Sequence, residues 1–211
     1  GVPLDIPLVE KMKTLGMTIW GEIELAYVLG KGHVVAITGT NGKTTTTTLV
    51  GQIMARHFAH VAVVGNIGIP YTSVAEETTD DTVVVAEISS FQLETIDTFA
   101  PKAAAILNIT PDHLNRHHTM ANYIAAKESI VKNQTRDDLC VLNYNDEVLR
   151  AFGKTLEQKV VLFSSTETLD AGLYLQENEI LWARNGKTEH IISVEELNIL
   201  GAHNYENVMA A

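Results

Sequence analysis

The sequence predicts an α/β fold, in which a doubly wound, mostly parallel sheet carries a phosphate-binding loop, with a small antiparallel β appendage toward the C-terminus. Its apolar residues form short continuous runs, which are typical of parallel strands buried on both faces. Segments with helical spacing separate these runs, and this alternation is typical of a doubly wound sheet. A glycine-rich turn directly follows the first clear run, at residues 39–42.

The first 30 residues form a mixed lead-in to this pattern. Prolines at positions 3 and 7 interrupt regular structure early, because proline lacks the backbone donor that helices and strands need. We expect a short helix over residues 7–13, a short strand over 17–20 and a second helix over 22–29 that ends at Gly30.

The alternating pattern starts at residue 33. Six apolar runs predict the strands of the main sheet, at residues 33–38, 61–64, 82–87, 103–108, 139–143 and 160–164. Helices are predicted between them, at residues 43–58, 119–133 and around 146–152. Beyond residue 165, short segments separated by turn residues such as Asn185 and Gly186 predict the antiparallel appendage, at residues 172–176, 179–183 and 188–192.

The composition is that of an ordinary globular protein, and it limits the kinds of partner. Of 211 residues, 45% are hydrophobic and 19% are charged. The formal net charge of −11 argues against a nucleic-acid-binding surface, which needs a basic face. The single cysteine, Cys140, cannot form an internal disulfide, and no apolar run approaches the roughly 18–20 residues that span a membrane. We expect a cytoplasmic monomer without a nucleic-acid or membrane partner.

The segment GTNGKT at residues 39–44 has the features of a phosphate-binding loop. Glycines let the backbone approach an anion, while successive N–H groups and the following helix N-terminus point toward it. Lys43 supplies a positive charge for the β and γ phosphates of ATP, and the Thr44 hydroxyl can ligate Mg²⁺. The loop is a compressed form of the usual pattern, whose first glycine would fall at Ile37. The alternative is a glycine turn that only caps a helix.

Three further residues are candidates for ATP chemistry at the same edge of the sheet. Glu87 ends a buried strand and could hold Mg²⁺ or position a water; otherwise it is a solvated strand-end charge. His113 follows the next strand and could ligate a second metal ion, although loop histidines are common at protein surfaces. Lys127 lies among small residues on a predicted helix, where a lysine alone is usually an ordinary solvated residue.

Several motifs, in the same order along the chain, resemble the middle domain of the Mur ligases, the ATP-dependent amide-forming enzymes of peptidoglycan precursor synthesis. They are the compressed loop TGTNGKT at 38–44, GNIG at 65–68, EISSFQLE at 87–94 and GAHNYEN at 201–207. The segment at 87–94 resembles that of the D-glutamate-adding branch of the family. The chain departs from the family around residue 113, where Pro111 stands in place of an acidic residue and residues 116–118 vary.

The resemblance implies which residues face the nucleotide and the acceptor substrate. Asn66, Ser89 and Gln92 would line the muramoyl-alanine side. The nucleotide would contact residues of the loop and of the last motif: Gly39, Thr40, Asn41, Gly42, Lys43, Thr44, Thr45, Asn204 and Asn207.

The resemblance also implies the metal and catalytic residues. Thr44 and Glu87 would hold a first Mg²⁺, and His113 would ligate a second one. Lys127 matches a lysine that family members carbamylate with CO₂, which turns a cation into an anion that can serve a metal. Lys43, Glu87, His113 and Lys127 would together carry the chemistry.

The implied reaction is ATP-dependent ligation of D-glutamate to UDP-N-acetylmuramoyl-L-alanine through an acyl phosphate, with ADP as product. Residues 1–31 would be the tail of an N-terminal UDP-binding domain and its linker, and residues 32–211 the central ATP-binding domain. A C-terminal domain would be absent, so we expect the chain alone to be inactive. Two alternatives remain at this point, namely a sister amide ligase such as a folylpolyglutamate synthetase, and a P-loop phosphotransferase or nucleotide switch.

Overall fold

A single nine-stranded sheet organises the fold. The computed structural model describes residues 2–199 and 201–211, so that residue 1 of the predicted lead-in and residue 200 lie outside the described residues. In space the strands follow the order β2-β3-β1-β4-β5-β6-β7-β8-β9. The strands are β1 (His33–Thr38), β2 (Val61–Gly65), β3 (Val83–Glu87), β4 (Ala103–Ile106), β5 (Leu139–Asn143), β6 (Lys159–Ser164), β7 (Gly172–Gln176), β8 (Glu179–Arg184) and β9 (Lys187–Ser193).

Helices cover both faces of this sheet, which confirms the doubly wound α/β fold. They are α1 (Pro7–Thr14), α2 (Glu22–Leu29), α3 (Lys43–Met54), α4 (Ser90–Leu93), α5 (Leu114–His117), α6 (Met120–Glu128), α7 (Glu147–Gly153) and α8 (Ala202–Ala210). One apolar cluster joins the sheet to α2, α6 and α7, and a second joins it to α3 and α8. Within the described part of the chain, no helix is both long enough and apolar enough to cross a membrane.

The predicted main strands are confirmed to within about two residues, whereas three local predictions were wrong. Residues 17–20 form no strand and lie between α1 and α2, unpaired with the sheet, whose edge strands are β2 and β9. The helix predicted to reach residue 58 ends at Met54, and residues 55–60, Phe58 included, are exposed and add no side chain to the core. The helix predicted over 119–133 is shorter, and a 3₁₀ turn at Ser129–Val131 follows it.

The antiparallel appendage is confirmed, and it continues the main sheet. In the spatial order from β2 through β1 to β7, all neighbouring strands pair in parallel, whereas the β7–β8 and β8–β9 pairs are antiparallel. Asn185 and Gly186 both have positive φ (52° and 70°), as the tight turn between β8 and β9 requires.

A buried carboxylate fastens α2 to the sheet domain. Glu24 is fully buried and accepts hydrogen bonds from the backbone N–H groups of Asp97 (2.8 Å), Thr98 (2.7 Å) and Phe99 (3.1 Å). The Thr98 hydroxyl donates a further bond to it. Burial alone would raise the pKa of Glu24, but these hydrogen bonds outweigh burial and lower it. The charged form is therefore the one that holds the helix in place.

Replacing Glu24 with alanine should destabilise the fold strongly. Three backbone donors would lose their partner in a dry environment, at a total cost of about 3 kcal/mol or more. Because the folded-state pKa is lowered, this stabilisation is present at neutral pH and is lost only as the pH falls below the ordinary glutamate range. Urea denaturation at several pH values measures this effect. Glu10→Ala, which removes an exposed ion pair with Lys13, serves as the control and should cost less than about 1 kcal/mol.

Candidate active site

The glycine-rich loop lies between the end of β1 and the start of α3, at the carboxyl edge of the sheet. Gly42 precedes the helix with φ of +84°, a left-handed conformation that favours glycine. A Cβ at Gly42 would also collide with the side-chain amide of Asn207. Both constraints make glycine necessary at this position, and they leave the helix N-terminus open toward the cleft.

Residues that follow β4 hold the loop in shape. The Asn41 N–H donates to Asn108 Oδ1 (2.8 Å), and Asn108 Nδ2 donates back to the Asn41 carbonyl (3.1 Å). The Thr40 hydroxyl accepts a bond from the Thr110 N–H (3.0 Å). The loop is therefore fixed by neighbouring protein groups, and Asn108 and Thr110 are site residues that were not predicted.

A buried carboxylate joins the loop to the segment after β2. Glu87 is only 1% exposed, and its two oxygens accept hydrogen bonds from the Thr44 hydroxyl (2.9 Å) and from Asn66 Nδ2 (2.8 Å). All three side chains line a cleft of about 350 Å³ together with loop residues 40–45. The structure thus brings together the predicted loop, the predicted carboxylate and one predicted substrate residue.

The position of Asn66 depends on the glycine before it. Gly65 has φ of +107°, and a Cβ there would collide with the backbone carbonyl of Glu87. Only glycine lets β2 run this close to the end of β3. The first glycine of the GNIG segment is therefore required by backbone packing beside Glu87.

Two lysine ammonium groups meet at one backbone carbonyl of the loop. Lys43 Nζ donates to the carbonyls of Gly39 (3.0 Å) and Thr40 (2.9 Å), and Lys127 Nζ donates to the same Gly39 carbonyl (2.7 Å). In the described ranges, neither amine forms a salt bridge with a carboxylate. The two amines give this edge of the sheet a local positive charge in an acidic protein.

Burial lowers the pKa values of both amines. For Lys43, desolvation is the larger effect, and the carboxylates of Glu87 and Asp112 oppose it. For Lys127, which is only 2% exposed, desolvation and the nearby Lys43 charge lower the pKa to about 7. Near neutral pH a large share of Lys127 is therefore a free amine, the form that can react with electrophiles such as CO₂.

Tyr123 connects Lys127 with the loop and was not predicted. Its hydroxyl lies 3.1 Å from the hydroxyl of Thr40, and the Lys127 ammonium lies 4.8 Å from the centre of its ring. Tyr123 precedes Lys127 by four residues on α6, so both lie on one helix face. The four-residue spacing between Tyr123 and Lys127 is the feature of the sequence that could have identified Tyr123 as a site residue.

A second, larger cavity of about 580 Å³ adjoins the cleft, and Asn66 lines both. Ser89 and Gln92 also line the larger cavity. They form a reciprocal cap at the start of α4, in which the Ser89 hydroxyl accepts from the Gln92 N–H and Gln92 Oε1 accepts from the Ser89 N–H. The predicted substrate residues are thus at one wall, and two of them already bond to each other.

His113 is the predicted site residue with the weakest local support. It precedes α5 in a left-handed conformation with φ of 53°, and about half of its side chain is exposed (49%). Its ring lies 4.9 Å from that of Phe91, and its Nε2 lies 3.5 Å from a carboxylate oxygen of Asp112. Nothing in the described residues gathers His113 with other histidines or acids into a metal-binding group of three or more.

The donors beside the loop do fit one magnesium ion. Mg²⁺ prefers oxygen ligands and is often held by only one or two carboxylates together with substrate phosphates. The Thr44 hydroxyl and the Glu87 carboxylate, 2.9 Å apart, are such donors. The amine of Lys127 is not an oxygen donor, so Lys127 would have to be chemically modified before it could ligate a second ion.

The last helix packs against the start of α3. Asn207 is buried, and its Oδ1 accepts a hydrogen bond from the Thr46 hydroxyl (3.3 Å), while its Nδ2 donates to Asn204 Oδ1 (3.3 Å). Asn207 therefore lies beside the loop, against Gly42, and Asn204 contacts Asn207. Thr46 is a further residue of this contact that was not predicted, because nothing in the run of threonines at 44–48 distinguishes it from its neighbours.

A family comparison agrees with this arrangement. Residues 37–211 match the family model described as the Mur ligase middle domain. The chain belongs to the Mur ligase family. The family assignment confirms the resemblance carried by the four motifs.

Individual Mur ligases match over the whole chain. A protein from Lachnoclostridium phytofermentans named UDP-N-acetylmuramoylalanine–D-glutamate ligase is 56% identical over 211 residues, which are 100% of this chain and 46% of the relative. A protein of the same name from Clostridioides difficile is 49% identical over 212 residues, covering 100% of this chain and 47% of the relative. The chain spans about half the length of the curated relatives it matches.

Solved Mur ligase structures share the fold. The MurF ligase of Thermotoga maritima in complex with ADP has a TM-score of 0.62 at 20% identity, covering 90% of this chain and 47% of that one. A Neisseria meningitides UDP-N-acetylmuramate:L-alanyl-γ-D-glutamyl-meso-diaminopimelate ligase has a TM-score of 0.67 at 18% identity, covering 99% and 69%. At this identity the likeness concerns the fold.

Replacing Lys127 with methionine should make this Mur ligase domain more stable. Between about pH 7 and its ordinary pKa of 10.5, the unfolded amine binds a proton that the folded amine has lost, so stability rises with pH. The methionine variant should remove that slope and raise the free energy of unfolding by roughly 2–4 kcal/mol, with the largest increase below about pH 7. Urea denaturation in CO₂-free buffer measures this, with the exposed Lys154→Met as control. An unchanged slope would contradict the shifted pKa.

Proposed function

We propose that this chain is the ATP- and Mg²⁺-binding middle domain of a UDP-N-acetylmuramoyl-L-alanine:D-glutamate ligase, MurD. One observation carries the proposal. Asn66 lines both the cleft of the phosphate loop and the larger cavity, and the Glu87 carboxylate bonds it to Thr44. A nucleotide phosphate in the cleft and an acceptor carboxylate in the cavity would therefore meet beside Asn66.

The names of the relatives support the choice of substrates. The proteins that match at 56% and 49% identity are named for ligating D-glutamate to UDP-N-acetylmuramoylalanine. We propose that residues 1–31 are the tail of the UDP-binding domain and its linker, and that 32–211 form the central domain. The remaining length of the relatives would bring D-glutamate and part of the nucleotide site. The enzyme would act as a cytoplasmic monomer on small molecules alone.

The first step would be transfer of the γ-phosphoryl group. A carboxylate oxygen of the acceptor attacks the γ phosphorus, the bond to the bridging oxygen breaks, and ADP leaves with that electron pair. Lys43 would leave its two carbonyl partners and neutralise charge on the transferring group. Backbone N–H groups of the loop, held by Asn108 and Thr110, would orient the phosphates.

Metal binding at this site would follow from the donors present. Thr44 and Glu87 would hold one Mg²⁺, whose chemistry is to offset the repulsion between the phosphates and the incoming carboxylate. For a second Mg²⁺ we propose His113 and a carbamylated Lys127. Lys127 combines burial, a pKa of about 7 and the absence of a salt bridge in the described residues, so its free amine would be available near neutral pH to add CO₂.

The second step would form the amide. The amine of D-glutamate attacks the acyl carbon of the acyl phosphate and gives a tetrahedral intermediate. The nitrogen loses its extra proton to water, and the bond between the acyl carbon and the phosphate oxygen breaks, so that inorganic phosphate leaves with that electron pair. Alignment of the amine with the acyl carbon and stabilisation of the oxyanion would supply most of the acceleration.

An acyl phosphate predicts positional isotope exchange in ATP. When the full-length ligase binds the acceptor without D-glutamate, oxygen label should scramble between the β,γ-bridging and non-bridging positions of ATP. Lys43→Ala should lower this exchange by roughly a hundredfold or more, since it removes a charge from the transferring group. The exposed Lys154→Ala should leave it unchanged. Absence of exchange with acceptor bound would count against the mechanism.

Carbamylation of Lys127 can be measured on the 211-residue chain itself. Isotopically labelled bicarbonate should give a carbamate carbonyl signal from Lys127 in the NMR spectrum near pH 8, where the amine is largely unprotonated, beside any signal from the terminal α-amino group. The signal should fade below about pH 7, because protonation removes the reactive amine. Lys127→Met should lack the signal, while Lys154→Met should retain it. The same spectrum from Lys127→Met would assign the carbamate to another amine.

A further inference from the structure

We propose that Glu22, the first residue of α2, is a positioning residue for the acceptor cavity. The inference rests on the proposed function, because it concerns how the cavity would hold the acceptor. Glu22 lies in the lead-in segment that sequence reasoning treated as a tail and linker. Its carboxylate contacts two other segments of the cavity wall.

The carboxylate of Glu22 bonds to both of these segments at once. One oxygen accepts from the Thr72 N–H (2.9 Å) and the Thr72 hydroxyl (3.4 Å), and the other accepts from Gln92 Nε2 (3.3 Å). Thr72 lies in a short 3₁₀ turn that follows the loop of Asn66. Gln92 lies on α4. Glu22 therefore ties together the start of α2, the loop of Asn66 and the turn of Ser89.

The bond to Glu22 also fixes which way the Gln92 amide faces. Because Nε2 points to the carboxylate, Oε1 points to Ser89, where it accepts from the backbone N–H and the hydroxyl (2.9 Å each). In the opposite orientation the NH₂ group would face the Ser89 N–H, a donor against a donor. A carboxylate only accepts, so at position 22 it selects the orientation that keeps the Ser89 cap.

The start of α2 is built closely into the cavity. Trp20, Gly21 and Glu22 all line it. A Cβ on Gly21 would collide with the Thr95 hydroxyl, so the chain passes directly against the residues after α4. Since Glu24 separately fastens α2 with its three backbone bonds, removing Glu22 should leave the helix in place.

Acceptor binding is measured on the full-length ligase, because residues 1–31 would supply only the tail of the UDP-binding domain. Isothermal titration calorimetry with UDP-N-acetylmuramoyl-L-alanine gives the dissociation constant. Glu22→Gln should raise the dissociation constant by roughly tenfold, because its NH₂ group would oppose that of Gln92. ADP affinity and melting temperature should stay near those of the parent, as for the exposed control Glu77→Gln.

A conservative variant separates positioning from loss of packing. Glu22→Asp keeps a carboxylate, which only accepts hydrogen bonds and can still face the amide of Gln92. We expect Glu22→Asp to keep acceptor affinity within about threefold of the parent.

Each outcome bears on a distinct claim. Unchanged acceptor affinity in Glu22→Gln, or an equal loss of affinity in Glu22→Asp, would overturn the positioning role while leaving the proposed function intact. A full-length parent ligase that binds ADP but not the acceptor would overturn the acceptor cavity, and the role of Glu22 with it. If Glu22→Gln lowers ADP affinity as much as acceptor affinity and also lowers the melting temperature, its role is structural and the proposal fails.

Discussion

The arrangement of the site depends on one buried carboxylate, that of Glu87, at the carboxyl end of β3 in the central sheet. A buried charge is tolerated only when donors satisfy it, and Thr44 and Asn66 do so from two different segments. The sheet register makes this possible, because Glu87 pairs with Ile37 on one side and Gly65 on the other. The phosphate loop follows Ile37 and the acceptor wall follows Gly65, so one carboxylate sets the distance between the two.

The surrounding structure maintains charges that are costly in isolation. Lys127 is buried and Lys43 is partly buried, and both donate to the Gly39 carbonyl. Desolvation lowers the pKa of each amine, and the nearby Lys43 charge lowers that of Lys127 further. Such an arrangement persists because the two apolar clusters on either side of the sheet supply the stability. The site is thus a region where the fold gives up stability, which is usual where polar groups are prepared for a ligand.

Local patterns predicted most of the fold and part of the site. Continuous apolar runs located the parallel strands, and loop residues 39–44 were recognisable because backbone chemistry dictates their glycines. Contacts between distant segments could not be read from local patterns. The bonds of Glu22 to Thr72 and Gln92 span 50 and 70 residues, and the bond of Thr46 to Asn207 spans 161. The same limit applied to the segment at 17–20, because its local pattern did not reveal that it pairs with no strand of the sheet.

The Gly39 carbonyl, shared by two ammonium groups, has a thermodynamic consequence. An anion that recruits Lys43 must first take its ammonium from the carbonyls of Gly39 and Thr40, so binding exchanges hydrogen bonds instead of adding them. The enthalpy of that exchange is smaller than the charge of the amine alone would suggest. In return the lysine is already ordered, and little side-chain entropy remains to be lost when the anion arrives.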